Sequence, residues 1–128
     1  MPFTISYSAE FPAAHQLKDY DGKCKRLHGH NYRVELSVCR KTLNPQGMVI
    51  DFIVLKELLE GVIAPLEHGF LNETVHPVHP TAELTAKRIY AGLERVLRQH
   101  DRHCRLLSVA VWENERACAG YYKNASYK

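Results

Sequence analysis

Three histidines in the first quarter of the chain have the residue type and spacing of a metal site. His28 and His30 lie two residues apart in a segment that alternates polar and apolar residues, so on a strand both imidazoles point to the same face. His15 lies near the end of a preceding alternating segment and can supply a third nitrogen. Three neutral imidazoles favour zinc and leave a fourth position open for water or substrate, the arrangement of a catalytic site. The competing interpretation is that these are ordinary surface or hydrogen-bonded core histidines.

Cys24 precedes this pair by four residues and is flanked by Lys23, Lys25 and Arg26. Nearby cations, including a divalent metal, would lower the pKa of the thiol and make a thiolate accessible near neutral pH. Such a thiolate could act as a general base or a nucleophile. Two alternatives stay open: Cys24 could be a fourth metal ligand that closes the site, or an inert loop cysteine.

Two carboxylates further along the chain are candidates for chemistry. Glu67 lies next to His68, and a carboxylate can orient an imidazole and raise its basicity, although an adjacent pair alone is a weak signal. Glu113 shares the parity of Leu107, Val109 and Val111 on a predicted central strand. Because a buried carboxylate needs a partner, Glu113 should face either a planar, amidine-like donor pair on a ligand or an arginine of the sheet.

The elements that must position these residues follow from hydrophobic periodicity. Period-two segments predict strands over residues 3–15, 28–38 and 106–115, with a short strand near Tyr121 and Tyr122. Helical spacing predicts one helix from a cap at Asp51 to about Pro65 and another from Pro80-Thr81 to about His100. The order β-β-α-α-β-β predicts an α+β fold with two helices on one face of a four-stranded antiparallel sheet.

Length and composition predict one ordered domain over residues 1–128. The chain is 45% apolar and 24% charged, with a net charge of only +3, which is typical of a globular protein and gives no indication of nucleic acid binding. We expect no membrane association and a cytoplasmic location, because the N-terminus lacks a signal-peptide pattern and no apolar run is long enough to span a bilayer. Four separated cysteines predict reduced thiols, with Cys39, Cys104 and Cys118 as packing residues.

Taken together in chain order, these residues resemble the 6-pyruvoyltetrahydropterin synthase superfamily. The motifs that carry the resemblance cover residues 3 to 122 and are Phe11-Pro12-Ala13-Ala14-His15, the run from Cys24 to His30, Ile50-Asp51-Phe52 with Leu55-Lys56, Leu66-Glu67-His68 with Leu71-Asn72, Pro80-Thr81 with Glu83, and Glu113. The resemblance implies a tunnelling fold (T-fold). It also implies a homo-hexamer built as a dimer of trimers, with active sites between subunits, and a pterin triphosphate as the small-molecule substrate.

Carried over position by position, the resemblance implies a role for each candidate residue. His15, His28 and His30 would bind Zn²⁺, Cys24 and His68 would be catalytic together with Glu67, and Glu113 would anchor the pterin ring. Thr81, Lys25 and Arg26 are the further substrate-binding candidates, the two cations for the triphosphate. The family usually has aspartate where this chain has Glu67, a difference of one methylene that displaces the carboxylate by roughly 1.5 Å.

Within the superfamily, the three-residue spacer between Cys24 and His28 resembles the bacterial 6-carboxytetrahydropterin synthases of queuosine biosynthesis. That resemblance implies conversion of 7,8-dihydroneopterin triphosphate to 6-carboxytetrahydropterin, with release of acetaldehyde and triphosphate. The alternatives are the 6-pyruvoyl product of the sister enzymes, a non-catalytic zinc or pterin-binding protein, and another pterin reaction such as aldol cleavage of dihydroneopterin.

Overall fold

The computed structural model describes residues 2–22 and 25–123. These residues form five strands and three helices, which run along the chain as β1 (Phe3–His15), β2 (His28–Arg40), α1 (Phe52–Ile63), β3 (Gly69–Phe70), α2 (Leu71–Thr74), α3 (Ala82–His100), β4 (Arg105–Trp112) and β5 (Cys118–Tyr121). The strands lie side by side in the order β3-β1-β2-β4-β5. All pairings are antiparallel except the short parallel contact of β3 with β1.

This architecture confirms the predicted α+β fold, with one addition to the sheet. The predicted four strands are present, but β3 makes a fifth, and the four-residue α2 follows it directly. Neither element was foreseen, since two strand residues and one helical turn are too short to show a hydrophobic period.

The hydrophobic core lies between the sheet and the two long helices. Along β2, Tyr32, Val34, Leu36 and Val38 are all fully buried, while Arg33 on the opposite face is exposed. Strand β2 is the central strand and carries His28 and His30 at its first and third positions. The best-packed element of the fold therefore supports two of the three predicted metal ligands.

Both long helices begin at the predicted caps. The Asp51 carboxylate accepts the Ile53 N–H at 2.8 Å, and the Thr81 hydroxyl accepts the Leu84 N–H at 3.2 Å. These side chains satisfy N–H groups that have no partner within the first helical turn.

Within the described residues, no helix combines the length and the apolarity that crossing a lipid bilayer requires.

The prediction of which β4 residues face the core is wrong at the start of the strand. Alternation placed Leu107 with Val109 and Val111, but Leu106 is the residue buried beside them. The register between β2 and β4 slips between Ser37 and Val38, so that Val38 lies opposite Leu106. An irregularity of this kind adds one residue to one strand and reverses the parity beyond it, and the parity toward Glu113 is unaffected.

Candidate metal centre and active-site cleft

The three predicted histidines meet at one end of the β1–β2 hairpin. His15 and His28 are directly opposite in the register of the two antiparallel strands, and His30 follows on the same face of β2. One potential ligand atom from each ring lies within 4.8 Å of the others, and no other such group of His, Cys, Asp or Glu occurs among the described residues. The structure therefore brings together the predicted triad.

The hydrogen bonds of two of these rings fix which nitrogen is available. Nδ1 of His15 lies 2.8 Å from the Pro80 carbonyl oxygen, and Nδ1 of His28 lies 2.7 Å from the Arg26 carbonyl oxygen. Because a carbonyl oxygen only accepts hydrogen bonds, both Nδ1 atoms carry the proton and both Nε2 atoms of the neutral rings carry lone pairs. The two Nε2 atoms are 2.9 Å apart. In this tautomer of two neutral rings neither nitrogen can donate to the other, and a shared cation would bind both lone pairs.

The third ring has an unsatisfied nitrogen. Nε2 of His30 is buried and has no hydrogen-bond partner within the described residues, a condition that costs free energy unless something binds there. Burial lowers the pKa of this imidazole, as do the neighbouring His15 and His28, whereas the Glu113 carboxylate acts in the opposite direction. A neutral ring with a free lone pair is the form that binds a metal.

Tyr32 is a buried residue that contacts two of the three histidines. Its hydroxyl oxygen lies 3.2 Å from Nδ1 of His15, and its ring makes edge contacts with His15 and His30 at centroid distances of 6.0 and 5.3 Å. Burial raises the pKa of the phenol well above its usual range, and the Glu113 charge adds to this effect. Tyr32 is therefore a neutral phenol that packs against the rings of His15 and His30.

An open cleft of about 430 Å³ adjoins the triad, and both His30 and His68 contribute to its lining. The His68 N–H donates to the Pro12 carbonyl at 2.7 Å. His68 has a φ of 56°, a left-handed conformation that is uncommon outside glycine. The next residue is Gly69, where an added Cβ would lie 3.0 Å from the Leu66 carbonyl oxygen. This tight turn, which ends in β3, is what brings His68 to the cleft.

Glu67 is exposed, and within the described residues the structure records no hydrogen bond between its carboxylate and the His68 imidazole. The adjacent pair in the sequence is therefore not a hydrogen-bonded pair in this conformation. Adjacency alone is a weak signal because an adjacent Glu-His pair usually lies in a solvated loop, and both residues are exposed turn residues here.

Glu113 lies one residue beyond β4 and faces the triad. Its Oε2 is 3.8 Å from Nε2 of His30, too far for a hydrogen bond but close enough for electrostatic interaction. Its side chain is 27% exposed, and the structure shows no arginine paired with it within the described residues. Of the two partners considered for this carboxylate, the sheet arginine is absent among the described residues, and the partly exposed oxygens beside His30 remain available to a ligand.

The remaining sequence-predicted residues have separate positions. Thr81 caps α3 through its hydroxyl, directly after the Pro80 carbonyl that binds His15. Lys25 and Arg26 are exposed just before β2, and the Arg26 backbone carbonyl holds His28. Cys24, and with it Lys23, lies outside the described residues.

Two groups that hold the ligands were not anticipated from the sequence. The Pro80 carbonyl comes from a loop 65 residues away from His15, and no local pattern marks a backbone oxygen as a histidine partner. Tyr32 shares the parity of His28 and His30 on β2, and this parity was the one available signal for its contact with the site.

Comparison with known proteins agrees with this picture. A family model described as 6-pyruvoyl tetrahydropterin synthase matches residues 4–124. A 6-carboxy-5,6,7,8-tetrahydropterin synthase from Synechocystis is 43% identical over 89 residues, covering 66% of this chain and 69% of the relative. A putative 6-carboxy-5,6,7,8-tetrahydropterin synthase from Archaeoglobus fulgidus is 35% identical over 111 residues, covering 87% and 88%.

A solved structure gives the same fold. The 6-pyruvoyl tetrahydropterin synthase of Caenorhabditis elegans superposes with a TM-score of 0.81 at 26% sequence identity, covering 95% of this chain and 96% of that one. The chain thus shares both its sequence pattern and its architecture with pterin-forming proteins.

Proposed function

Because this chain belongs to the 6-pyruvoyl tetrahydropterin synthase family, we propose that it converts 7,8-dihydroneopterin triphosphate and water to 6-carboxy-5,6,7,8-tetrahydropterin, acetaldehyde and triphosphate. The observation that carries the proposal is that His30 belongs at once to the histidine triad and to the cleft that His68 also lines, with the Glu113 carboxylate 3.8 Å from its ring. The relatives named above as 6-carboxytetrahydropterin synthases support the choice of product. The product would then serve queuosine biosynthesis.

The metal in this proposal is zinc, held by Nε2 of His15, Nε2 of His28 and a nitrogen of His30. Support comes from the donor set, from the two facing lone pairs and from the orphaned nitrogen of His30. A zinc ion bound there supplies a positive charge that stabilises negative charge developing on the oxygens of the substrate side chain.

The residues of the chain would bind the substrate and move its protons. The two oxygens of Glu113 would accept hydrogen bonds from the pterin amino group and ring N–H, a bidentate match that fixes the orientation of the ring. His68, at the edge of the cleft, would exchange a proton with the substrate side chain, and Cys24 would remove one on the other side. Glu67 would influence His68 only after a rearrangement that brings the carboxylate to the imidazole.

The triphosphate would be bound by exposed cations at the entrance to the site. Lys25 and Arg26 lie immediately before the strand that carries His28. They precede this metal ligand by three and two residues, so their side chains project from the chain close to it. Thr81 is the further substrate-binding candidate of this proposal, at the start of α3.

Two alternatives differ in a testable way. The Caenorhabditis elegans structure favours a 6-pyruvoyl product as the second candidate. A non-catalytic zinc protein would use Cys24 as a fourth ligand, so that Cys24→Ser would weaken zinc retention, whereas in the enzyme the same change would retain zinc and abolish turnover.

Assembly and location belong to the same proposal. Strand β1 is paired with β3 at Ala13 and Ala14 only, so the edge over residues 3–11 is unpaired within the described chain, and an unpaired edge is a surface on which another strand can add. The unpaired edge supports association with further copies of the chain, and we propose a homo-hexamer, a dimer of trimers, with sites between subunits and a cytoplasmic location. Light scattering on the eluting peak of a size-exclusion column would measure the mass.

The decisive experiment incubates zinc-loaded protein with 7,8-dihydroneopterin triphosphate and identifies the products by mass spectrometry. We expect 6-carboxytetrahydropterin with one equivalent each of acetaldehyde and triphosphate. A 6-pyruvoyl product would replace the proposal by the second candidate, and no product from zinc-loaded protein would favour the binding protein.

A further inference from the structure

Asn72 is a buried polar residue to which the proposed chemistry gives no task. It lies in the short helix α2 and is only 7% exposed. Its side chain nevertheless uses the oxygen and both N–H groups of the amide for hydrogen bonds. A buried amide satisfied this fully holds its partners in one arrangement.

The first two bonds fix the end of β1. The Gln16 N–H donates to Oδ1 of Asn72 at 2.8 Å, and Nδ2 of Asn72 donates to the Gln16 carbonyl at 2.8 Å. The amide therefore pairs with both backbone groups of Gln16 as a neighbouring strand would. Gln16 directly follows His15, so this pair fixes the backbone from which the His15 ring projects.

The third bond fixes the loop that binds the same ring from the other side. Nδ2 of Asn72 also donates to the Pro77 carbonyl at 3.0 Å. Pro77 lies three residues before Pro80, whose carbonyl accepts the bond from Nδ1 of His15. One amide thus connects the backbone of the ligand to the segment that sets the orientation of its ring.

The loop between Pro77 and Pro80 transmits this position because it is itself held. Nδ1 of His76 accepts the N–H groups of Val78 and His79 at 3.1 and 2.7 Å. The Thr81 N–H donates to the His79 carbonyl at 2.8 Å. The Pro80 carbonyl therefore belongs to a turn with few remaining degrees of freedom.

We propose that Asn72 is a positioning residue for the metal centre, which acts by holding the end of β1 and the Pro77–Pro80 loop in the geometry that aims Nε2 of His15 at the ion. The inference rests on the proposed function in that the triad must bind a metal. It assigns no contact between Asn72 and either metal or substrate. Changes in groups that orient metal ligands typically cost about 10- to 100-fold in metal affinity.

The test compares Asn72→Ala with Tyr90→Phe. The Tyr90 hydroxyl donates to the Leu106 carbonyl at 3.2 Å and is likewise buried, so its loss costs a buried hydrogen bond without touching the loop. Zn²⁺ affinity is measured by competition with a chelator under conditions in which both variants are folded, and Co²⁺ is used in parallel for its visible absorption, which reports ligand geometry. We expect Asn72→Ala to weaken Zn²⁺ binding by about tenfold or more and to alter the Co²⁺ spectrum, and Tyr90→Phe to do neither.

A second variant covers the case in which Asn72→Ala does not fold. Asn72→Asp keeps the size and the acceptor for the Gln16 N–H but loses both donors. Its added negative charge would by itself favour a cation, whereas the lost donors and the repulsion between the new oxygen and the Gln16 and Pro77 carbonyl oxygens displace the segments that Asn72 holds. Weaker Zn²⁺ binding therefore supports the inference. Unchanged affinity and an unchanged Co²⁺ spectrum in the folded variants would overturn the inference and leave the metal site standing. Failure of the wild-type protein to bind Zn²⁺ would overturn both.

Discussion

Nε2 of His15 faces Nε2 of His28 at 2.9 Å, while Nδ1 of each ring is bound to a backbone carbonyl. The two carbonyls favour the tautomer with the proton on Nδ1, and the strand register places the two unprotonated Nε2 atoms together. The protein therefore holds two ligand lone pairs in place before any metal arrives, which reduces the reorganisation that binding requires.

Loss of one triad histidine should abolish tight metal binding. We expect His28→Ala to weaken Zn²⁺ binding by more than about 100-fold, because substitution of groups that only orient metal ligands already lowers metal affinity by about 10- to 100-fold. The control is His100→Ala, which removes an exposed histidine at the end of α3. Elemental analysis and chelator competition would measure both variants, and equal zinc content would contradict the site.

Replacement of Glu113, the carboxylate beside His30, should affect substrate binding more than metal binding. Glu113→Gln keeps the shape but offers one acceptor oxygen and no charge, and hydrogen bonds to charged groups contribute about 1.5–3 kcal/mol. We expect kcat/KM to fall by roughly 10- to 150-fold with zinc content retained. Glu115→Gln changes an exposed carboxylate two residues further on and should leave kcat/KM unchanged. A loss of zinc in Glu113→Gln would instead assign Glu113 to the metal.

Replacement of Glu67, the residue before His68, by the shorter aspartate should be tolerated. Glu67 is exposed and makes no hydrogen bond to His68 within the described residues, so we expect Glu67→Asp to have turnover equal to or slightly above that of the wild type. Steady-state assays with Glu67→Gln as the charge-removing control would check this. A fall of about 100-fold, the size that a misplacement of about 1 Å can cause, would mean that the site has adapted to glutamate.

Comparison of the two helix caps, Thr81 and Asp51, tests whether Thr81 has a role in the reaction besides capping. Thr81→Ala and Asp51→Ala each remove a side-chain cap, so each should lower the free energy of unfolding by about 0.5–2 kcal/mol. Only Thr81 adjoins the Pro80 carbonyl that holds His15, so only Thr81→Ala should also reduce turnover. Urea unfolding and steady-state kinetics give the two quantities, and an equal effect of both changes on turnover would restrict Thr81 to capping.

The ion pair between Arg40 and Asp101 should make stability depend on pH in acid. Burial alone would raise the pKa of Asp101, but the His103 N–H and the Arg40 guanidinium outweigh it and lower the pKa below its usual value. A carboxylate with a lowered folded-state pKa stabilises the protein above its unfolded pKa, about 3.9, and this contribution disappears as the pH falls below that value. Asp101→Asn should therefore be less stable than the wild type at pH 7, and the difference should shrink below about pH 4.

Urea unfolding of metal-free protein would measure this effect without interference from histidine ligands. Asp21→Asn, at an exposed loop carboxylate, controls for the loss of one negative charge. A stability difference between Asp101→Asn and the wild type that stays constant from pH 7 to pH 2 would exclude the ion pair as its source.

The limits of sequence reasoning are visible in particular elements. The caps Asp51 and Thr81 were predictable because capping depends on the neighbouring few residues. The slip between Ser37 and Val38, which buries Leu106 in place of Leu107, was not, because it arises from the pairing of two strands far apart in the chain. The two-residue β3 was missed for a similar reason, since it exists only through its contact with β1.

For the site, the sequence by itself determined that His28 and His30 share a face, because residues two apart on a regular strand do, and it marked His15, His68 and Glu113 as candidates. Only the tertiary structure decided that His15 lies opposite His28, that Glu113 approaches His30, and that Pro80 and Asn72 hold the first ligand. Those relationships depend on strand register, strand order and backbone oxygens of distant loops, which no local pattern of side chains encodes. The periodicity of the chain thus defined the ligands, and the packing of separate segments defined the geometry in which they can act.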